Sequence, residues 1–199
     1  SFIIKIIVFC LVTIKVSAIE KVILFGDSLM AGYGLPKEQH LSVVLQNSLE
    51  LEGHNIEIIN GSVSGSTSAG GLNIAEWTLS ENNIDLMILC LGANDMLRGI
   101  NPKETKNNLD EIIQIAKNKN IKVIIAGMIA PTSYGFAYKK SFDKIFSDLS
   151  KKHKLQLIPF LLEGVAQNPK FNLSDGMHPN DQGTIIIGNT LKKAILENL

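Results

Sequence analysis

Arginine is almost missing from this chain: of its 19 basic residues, only Arg98 is not a lysine. That leaves no arginine cluster to grip phosphates or RNA bidentately. Nor does one sign of charge prevail, because 19 acidic residues balance the basic ones across 199 positions. The charges among the first 18 residues are Lys5 and Lys15, and without that segment 17 basic residues face 19 acidic ones. A slightly acidic remainder excludes binding that works by neutralising nucleic-acid phosphates. Aromatic residues contribute only 6%. Cysteine is scarce too, with Cys10 in the opening apolar stretch and Cys90 in the apolar run Leu86-Met87-Ile88-Leu89-Cys90-Leu91. Without the opening stretch one cysteine remains, so no internal disulfide is expected, and a cysteine within an apolar run is expected to pack in the core rather than react. What is left is a small soluble enzyme or a small-ligand binding module, with length enough for one full core.

The opening segment has an organisation of its own. Ser1-Phe2-Ile3-Ile4-Lys5 leads into the apolar stretch Ile6 to Ile14, followed by Lys15-Val16-Ser17-Ala18 with small residues at the positions a signal peptidase requires. Residues 1–18 read as a secretory signal peptide, leaving 19–199 as a periplasmic or secreted domain of about 181 residues. The apolar stretch falls short of the ~18 residues that span a bilayer, with retention as an uncleaved anchor as the alternative. Cys10 is not preceded by the small-residue pattern of a lipoprotein signal, which argues against a lipid anchor.

Beyond Glu20, short apolar runs alternate with segments of helical period. Val22–Phe25, Ile56–Ile59, Leu86–Leu91, Val123–Ala126 and Leu155–Ile158 are expected as five strands of a parallel sheet covered on both faces. Leu41, Val44, Leu45 and Leu49 share one helical face after Pro36. Leu109, Ile112, Ile113 and Ala116 share another, after an N-cap Asn101 and a first-turn Pro102. Phe142 to Leu149 and the closing Ile187, Leu191, Ala194, Ile195 and Leu199 repeat the pattern. With no linker, repeat or low-complexity tract after residue 20, one α/β domain is expected.

Parallel sheets carry their working residues in loops beyond the carboxyl ends of the strands. Four loops are unusual: Gly26 to Gly34, Asn60 to Thr67, Gly92 to Gly99, and Asp175 to Asn180 just before the last helix. Ser28, at the mouth of strand one, is the best-placed nucleophile, but a serine needs a base. His178 is the best-placed base, since His40 falls in a helix, His54 in a polar turn and His153 among lysines, all three expected as solvated surface residues. Asp175, three residues before His178, is positioned to turn its carboxylate onto the imidazole. Asp175-Gly176 also reads as a plain turn, with Asn180 or Asp181 capping the last helix. A tetrahedral intermediate further needs donors for its oxyanion. The backbone N–H of Gly65 and the side-chain amide of Asn94 are candidates, although a Ser/Gly-rich loop and a helix cap account for them equally well.

The four loops together resemble the signature blocks of the GDSL, or SGNH, hydrolase family. Gly26-Asp27-Ser28-Leu29, Gly65, Gly92-Ala93-Asn94-Asp95 and Asp175-Gly176-Met177-His178-Pro179 match in order and spacing across nearly the whole chain after the signal. The stretches Gly26 to Pro36, Leu91 to Pro102 and Pro159 to Val165 look most like the bacterial arylesterases and the acyl-thioesterase and lysophospholipase group. The resemblance implies a flavodoxin-like three-layer α/β/α sandwich with a five-stranded parallel sheet. It implies Ser28 as nucleophile, His178 as base, Asp175 as its orienting partner, and an oxyanion hole from the N–H groups of Ser28 and Gly65 with the Asn94 amide. It implies neither metal nor organic cofactor, a monomer acting on small acyl esters, thioesters or lysophospholipids, and at most transient contact with lipid. Ser66 departs from the pattern, because close relatives usually carry aspartate there. Around Ser28 the chain also lacks the Gly-x-Ser-x-Gly elbow of the α/β-hydrolases.

An apolar acyl channel is expected from two mobile loops, Gly70 to Ile74 and Ala130 to Phe136, the latter with Tyr134 and Phe136 as contact surface or as packing at a helix entrance. Two other readings compete. One is a non-catalytic flavodoxin-like module holding phosphate or flavin on Gly26 to Gly34, which leaves Asp175 and His178 without a role. The other is a carbohydrate O-deacetylase with the same catalytic residues.

Overall fold

The alternation of apolar runs and amphipathic segments resolves, in a computed structural model describing residues 19–80 and 83–199, into five parallel strands with helices on both faces. The expected signal segment, with Cys10, lies outside the described residues. In chain order the elements begin β1 (Lys21–Gly26), α1 (Ser28–Ala31), α2 (Leu41–Leu51), β2 (Glu57–Asn60) and α3 (Ser68–Thr78). They continue β3 (Leu86–Cys90), α4 (Ala93–Leu97), α5 (Pro102–Asn118), β4 (Lys122–Ala126), α6 (Phe136–His153), β5 (Gln156–Ile158) and α7 (Asp181–Leu196).

The sheet order is β2-β1-β3-β4-β5, with Lys21 of β1 beside Glu57 of β2 and Gly26 beside Cys90 of β3. The central strands β1 and β3 are apolar and buried almost throughout, as strands covered on both faces must be. The edge strands β2 and β5 are short and only partly buried, which limits the unpaired backbone they expose. Leaving β1, the chain first builds outward to β2 and then crosses back to β3. Right-handed crossovers in opposite directions place helices on opposite faces: α2 packs with α7, and α3 with α5, which also packs with α6. The gap opened between β1 and β3 at their carboxyl ends is the switch point where such sheets bind ligands.

The helices follow their sequence signals. Asn101 caps α5 by accepting the Lys103 N–H, Pro102 stands in its first turn, and Leu109, Ile112, Ile113 and Ala116 are buried. Leu41, Leu45 and Leu49 anchor α2, and Ile187, Leu191, Ala194 and Ile195 anchor α7. Leu199, expected on that last face, lies past the helix end and is 46% exposed.

One element overturns the sequence reading. Gly70 to Ile74, expected as a mobile loop, lies inside α3, whose N-cap Thr67 accepts the Gly70 N–H. The buried face of this helix is Ser68, Gly71 and Ala75, small residues that carry no strong apolar period. Their size is what packing requires. A side chain at Gly71 would begin only 2.3 Å from a Leu91 methyl carbon, so α3 lies close against the end of β3.

Candidate active site

Ser28 is the first residue of α1, directly beyond β1, with Asp27 as N-cap. Gly26 makes that sharp exit feasible, because a Cβ there would stand 2.7 Å from the carbonyl oxygen of Cys90 on the neighbouring strand. The expected partners arrive from the far end of the chain. The Nε2 of His178 lies 2.9 Å from the Ser28 hydroxyl, and its Nδ1 lies 2.7 Å from Oδ2 of Asp175.

The turn that carries Asp175 explains how three residues of separation suffice. Leu173 donates its N–H to the His178 carbonyl and Gly176 donates to the Leu173 carbonyl, closing a tight loop. Within it, Oδ1 of Asp175 accepts the N–H groups of Met177 and His178. Those donors, the His178 N–H foremost, hold the Asp175 carboxyl at a pKa of about 2. It is therefore an anion at any pH where the imidazole works. The turn reading is realised alongside: Asn180 caps α7 by accepting the Gly183 N–H. One segment thus supplies both the cap and the aspartate-histidine pair.

The candidate oxyanion donors sit on two further loops. Gly65 adopts φ +78°, a left-handed conformation that suits glycine, and its carbonyl accepts a hydrogen bond from Arg98 at 3.0 Å. The lone arginine of the chain is thereby committed to a loop of the site. Among the described residues, the backbone N–H groups of Ser28 and Gly65 donate to no protein acceptor. Asn94 stands in the first turn of α4, after Gly92 as N-cap, and its amide donates to Oδ2 of Asp27 at 3.3 Å. Ser66, the departure from the family pattern, is half-buried and gives its hydroxyl to the Thr67 carbonyl within its own loop.

Three side chains escaped the sequence reading although the motifs contain or adjoin them. Asp27 is fully buried, and that burial raises its carboxyl pKa to about 6. Asp95, also fully buried, accepts the N–H and hydroxyl of Ser68 and the hydroxyl of Thr105. Tyr33 covers the His178 imidazole, with ring centroids 4.5 Å apart and planes inclined at 39°. Adjacency to Ser28 and Asn94 was the available signal for the two aspartates. Nothing in the pattern pointed to the tyrosine.

Ser28, Gly65, Asn94 and His178 all line one cleft of about 990 Å³. Its apolar wall is formed by Met96, Leu97, Met128, Ile129, Phe160 and Leu162, together with Ala130 and Pro131. Gly70 to Ile74 contribute nothing to it. Tyr134 packs against the core with its ring 5.5 Å from that of Tyr138, whereas Phe136 is 81% exposed at the start of α6; neither aromatic lines the cleft, and only Tyr134 fits the packing reading. Of the other histidines, His153 departs from the solvated surface expected: its side chain is 9% exposed and its Nε2 lies 2.6 Å from Asp110. His40, at the N-cap of α2 rather than inside it, is half-buried with Nε2 3.0 Å from the Leu35 carbonyl, and His54 is half-buried as well. None of the three lines the cleft. Cys90 is buried and its thiol pKa is pushed up by that burial, so it packs rather than reacts.

A parallel sheet covered by helices on both faces, with a serine, a histidine and an aspartate in hydrogen-bond contact at its switch point, is the architecture of an α/β hydrolytic enzyme class. The chain belongs to the GDSL-like lipase/acylhydrolase family, whose profile matches residues 24–184. It is 35% identical over 191 residues to an arylesterase of Vibrio mimicus, covering 96% of this chain and 95% of the relative. It is 30% identical over 185 residues to the thioesterase 1/protease 1/lysophospholipase L1 of Escherichia coli K12, covering 93% and 88%. Among solved structures it is similar to that of TesA, with a TM-score of 0.85, 32% identity, and coverage of 90% of this chain and all of that one. The protein is thus a GDSL-type acyl-ester hydrolase.

Proposed function

We propose that the protein hydrolyses carboxylic esters, thioesters or lysophospholipids through an acyl-enzyme on Ser28. His178 takes the hydroxyl proton as Ser28 attacks the carbonyl, while the N–H groups of Ser28 and Gly65 and the Asn94 amide receive the oxyanion. His178 then protonates the leaving alcohol or thiol, and water repeats the sequence on the acyl-enzyme. Asp175 keeps its charge, holds the imidazole tautomer and stabilises the imidazolium. The observation carrying this reading is the continuous chain of contacts from Asp175 through His178 to Ser28, at 2.7 and 2.9 Å.

The cleft supports an apolar acyl group. Its volume matches pockets that take molecules larger than an acetyl unit, and methionine, leucine, isoleucine and phenylalanine dominate its wall. That favours acyl esters over acetylated carbohydrates. The names of the relatives, arylesterase and thioesterase/lysophospholipase, are consistent with the same substrate classes. Among the described residues no helix is long and apolar enough to cross a membrane. The export reading of residues 1–18 rests on their sequence pattern, and N-terminal sequencing of the exported protein tests it: a mature chain beginning at Ile19 supports cleavage, one beginning at Ser1 refutes it.

The direct test is turnover of p-nitrophenyl esters from short to long acyl chains by the unmodified protein and by Ser28→Ala. The variant is expected to lose activity by on the order of 10⁴-fold or more across the series. Wild-type turnover by Ser28→Ala would overturn the mechanism.

A further inference from the structure

The serine mechanism uses Asn94 as an oxyanion donor but leaves open what fixes the orientation of that amide, since an asparagine can present either its oxygen or its nitrogen. Asp27 answers this. Its carboxyl is fully buried at the start of α1, with Oδ1 occupied by the Leu29 N–H at 3.1 Å and Oδ2 receiving the Asn94 amide at 3.3 Å. The Asn94 nitrogen has two hydrogens in one plane. Giving one to Asp27 leaves the other for the oxyanion at the cleft surface. A carboxylate accepts only and so selects the nitrogen, whereas a protonated carboxyl carries a donor of its own and selects the amide oxygen.

We propose that Asp27 is a positioning residue whose ionised carboxylate orients the Asn94 amide, so that the oxyanion hole is assembled or lost with the charge on a buried aspartate one residue before the nucleophile. This rests on the serine-esterase reading above. The groups facing Asp27 set the range in which that charge changes. Burial raises its pKa to about 6, and the Asp95 carboxyl on α4 acts in the same direction. The Leu29 N–H, the Asn94 amide and His178 oppose it. Cys90, the facing group on β3, is a buried thiol whose pKa is pushed up, so it stays neutral there. Asp27 therefore titrates close to the ordinary range of a histidine, and acid costs the site an oriented donor as well as a neutral base.

Asp27→Asn isolates the effect because asparagine keeps an oxygen for the Leu29 N–H while offering Asn94 an amide in place of a carboxylate. On p-nitrophenyl esters it is expected to lower kcat by about 10²-fold or more with KM little changed, the range for a lost oxyanion donor. The acid limb of kcat/KM should fall with the order of two protons in the unmodified protein and of one in the variant. Asn94→Ala should cost a similar factor and show the same single-proton limb. The double variant should be no slower than either single one, since both remove one device. Wild-type kcat in Asp27→Asn, or losses that multiply in the double variant, would overturn the proposal. Should Asp27→Asn fail to fold, the limb of Asn94→Ala decides alone: one proton supports it, two refute it. Ser28→Ala separates this inference from the reading beneath it. An inactive Ser28→Ala with a fully active Asp27→Asn defeats only the positioning role, whereas an active Ser28→Ala defeats the mechanism.

Discussion

Two aspartates beside the serine-histidine pair are held at opposite ends of the carboxyl range by their surroundings. Asp175, partly exposed, has a pKa of about 2 because its own loop donates backbone N–H groups to it. A carboxyl held below its ordinary pKa contributes stability above the unfolded value of ~3.9 and loses it as pH falls through about 2, so protonation of Asp175 itself lies well below the pH at which the histidine gains its proton. Asp175→Asn is expected to reduce kcat by about 10²- to 10⁴-fold through the wrong histidine tautomer, which steady-state kinetics on p-nitrophenyl esters checks. Asp27 has the opposite sign. With its folded pKa raised to about 6, its contribution to stability is complete below ~3.9 and is lost as pH rises through 6. Relative to the unmodified protein, Asp27→Asn should therefore melt higher at pH 8 than at pH 4, read as the change in Tm caused by the substitution at each pH. The sequence made Ser28, His178 and Asp175 legible because each falls in a motif where no bulky core residue would serve. It was silent on Tyr33, whose place over the imidazole depends on how two distant loops meet.

At the level of elements, Asp95 shows how the site loops are held by groups that do no chemistry. It follows Asn94 on α4 but points inward, bonding Ser68 at the start of α3 and Thr105 in α5, while Asn108 of α5 donates to the Ser68 hydroxyl. Three helices and two of the signature loops are tied at this one buried point. Asp95→Ala would leave the Ser68 N–H and two hydroxyls without that acceptor, at about 1–3 kcal/mol for each group left unsatisfied. A loss of about 3 kcal/mol or more in chemical denaturation is expected, with kcat lost as a consequence of disorder at Asn94; a loss below about 1 kcal/mol would contradict this. The same network explains why α3 was read as a loop. Its inward face is made of small residues and a buried hydroxyl, and only the partners contributed by α4 and α5 make that face a core face.

For the whole molecule, the described core runs from Ile19 to Ile195, and the described residues that line the cleft run from Asp27 to His178. A chain beginning at Ile19 is expected to fold cooperatively and to turn over p-nitrophenyl esters as the longer chain does, checked by thermal melting and by kcat/KM; failure to fold would show that the first 18 residues are structural. The sequence by itself determined the alternation of strands and helices, the parallel sheet buried on both faces, and the identity of the four loops that carry chemistry. Those features are local: a period of two or 3.6, a cap, a residue type that packing alone would not select. What only the tertiary structure decided depends on distances between segments far apart in the chain. Ser28 meets His178 across 150 positions because the sheet order brings the end of β1 beside the loop before α7. The acyl cleft takes its wall from Met96, Met128 and Phe160 together with the start of one expected loop, Ala130 to Thr132, and nothing from Gly70 to Ile74. Burial, which no local pattern measures, raises the carboxyl pKa of Asp27 and sets it against the Asn94 amide.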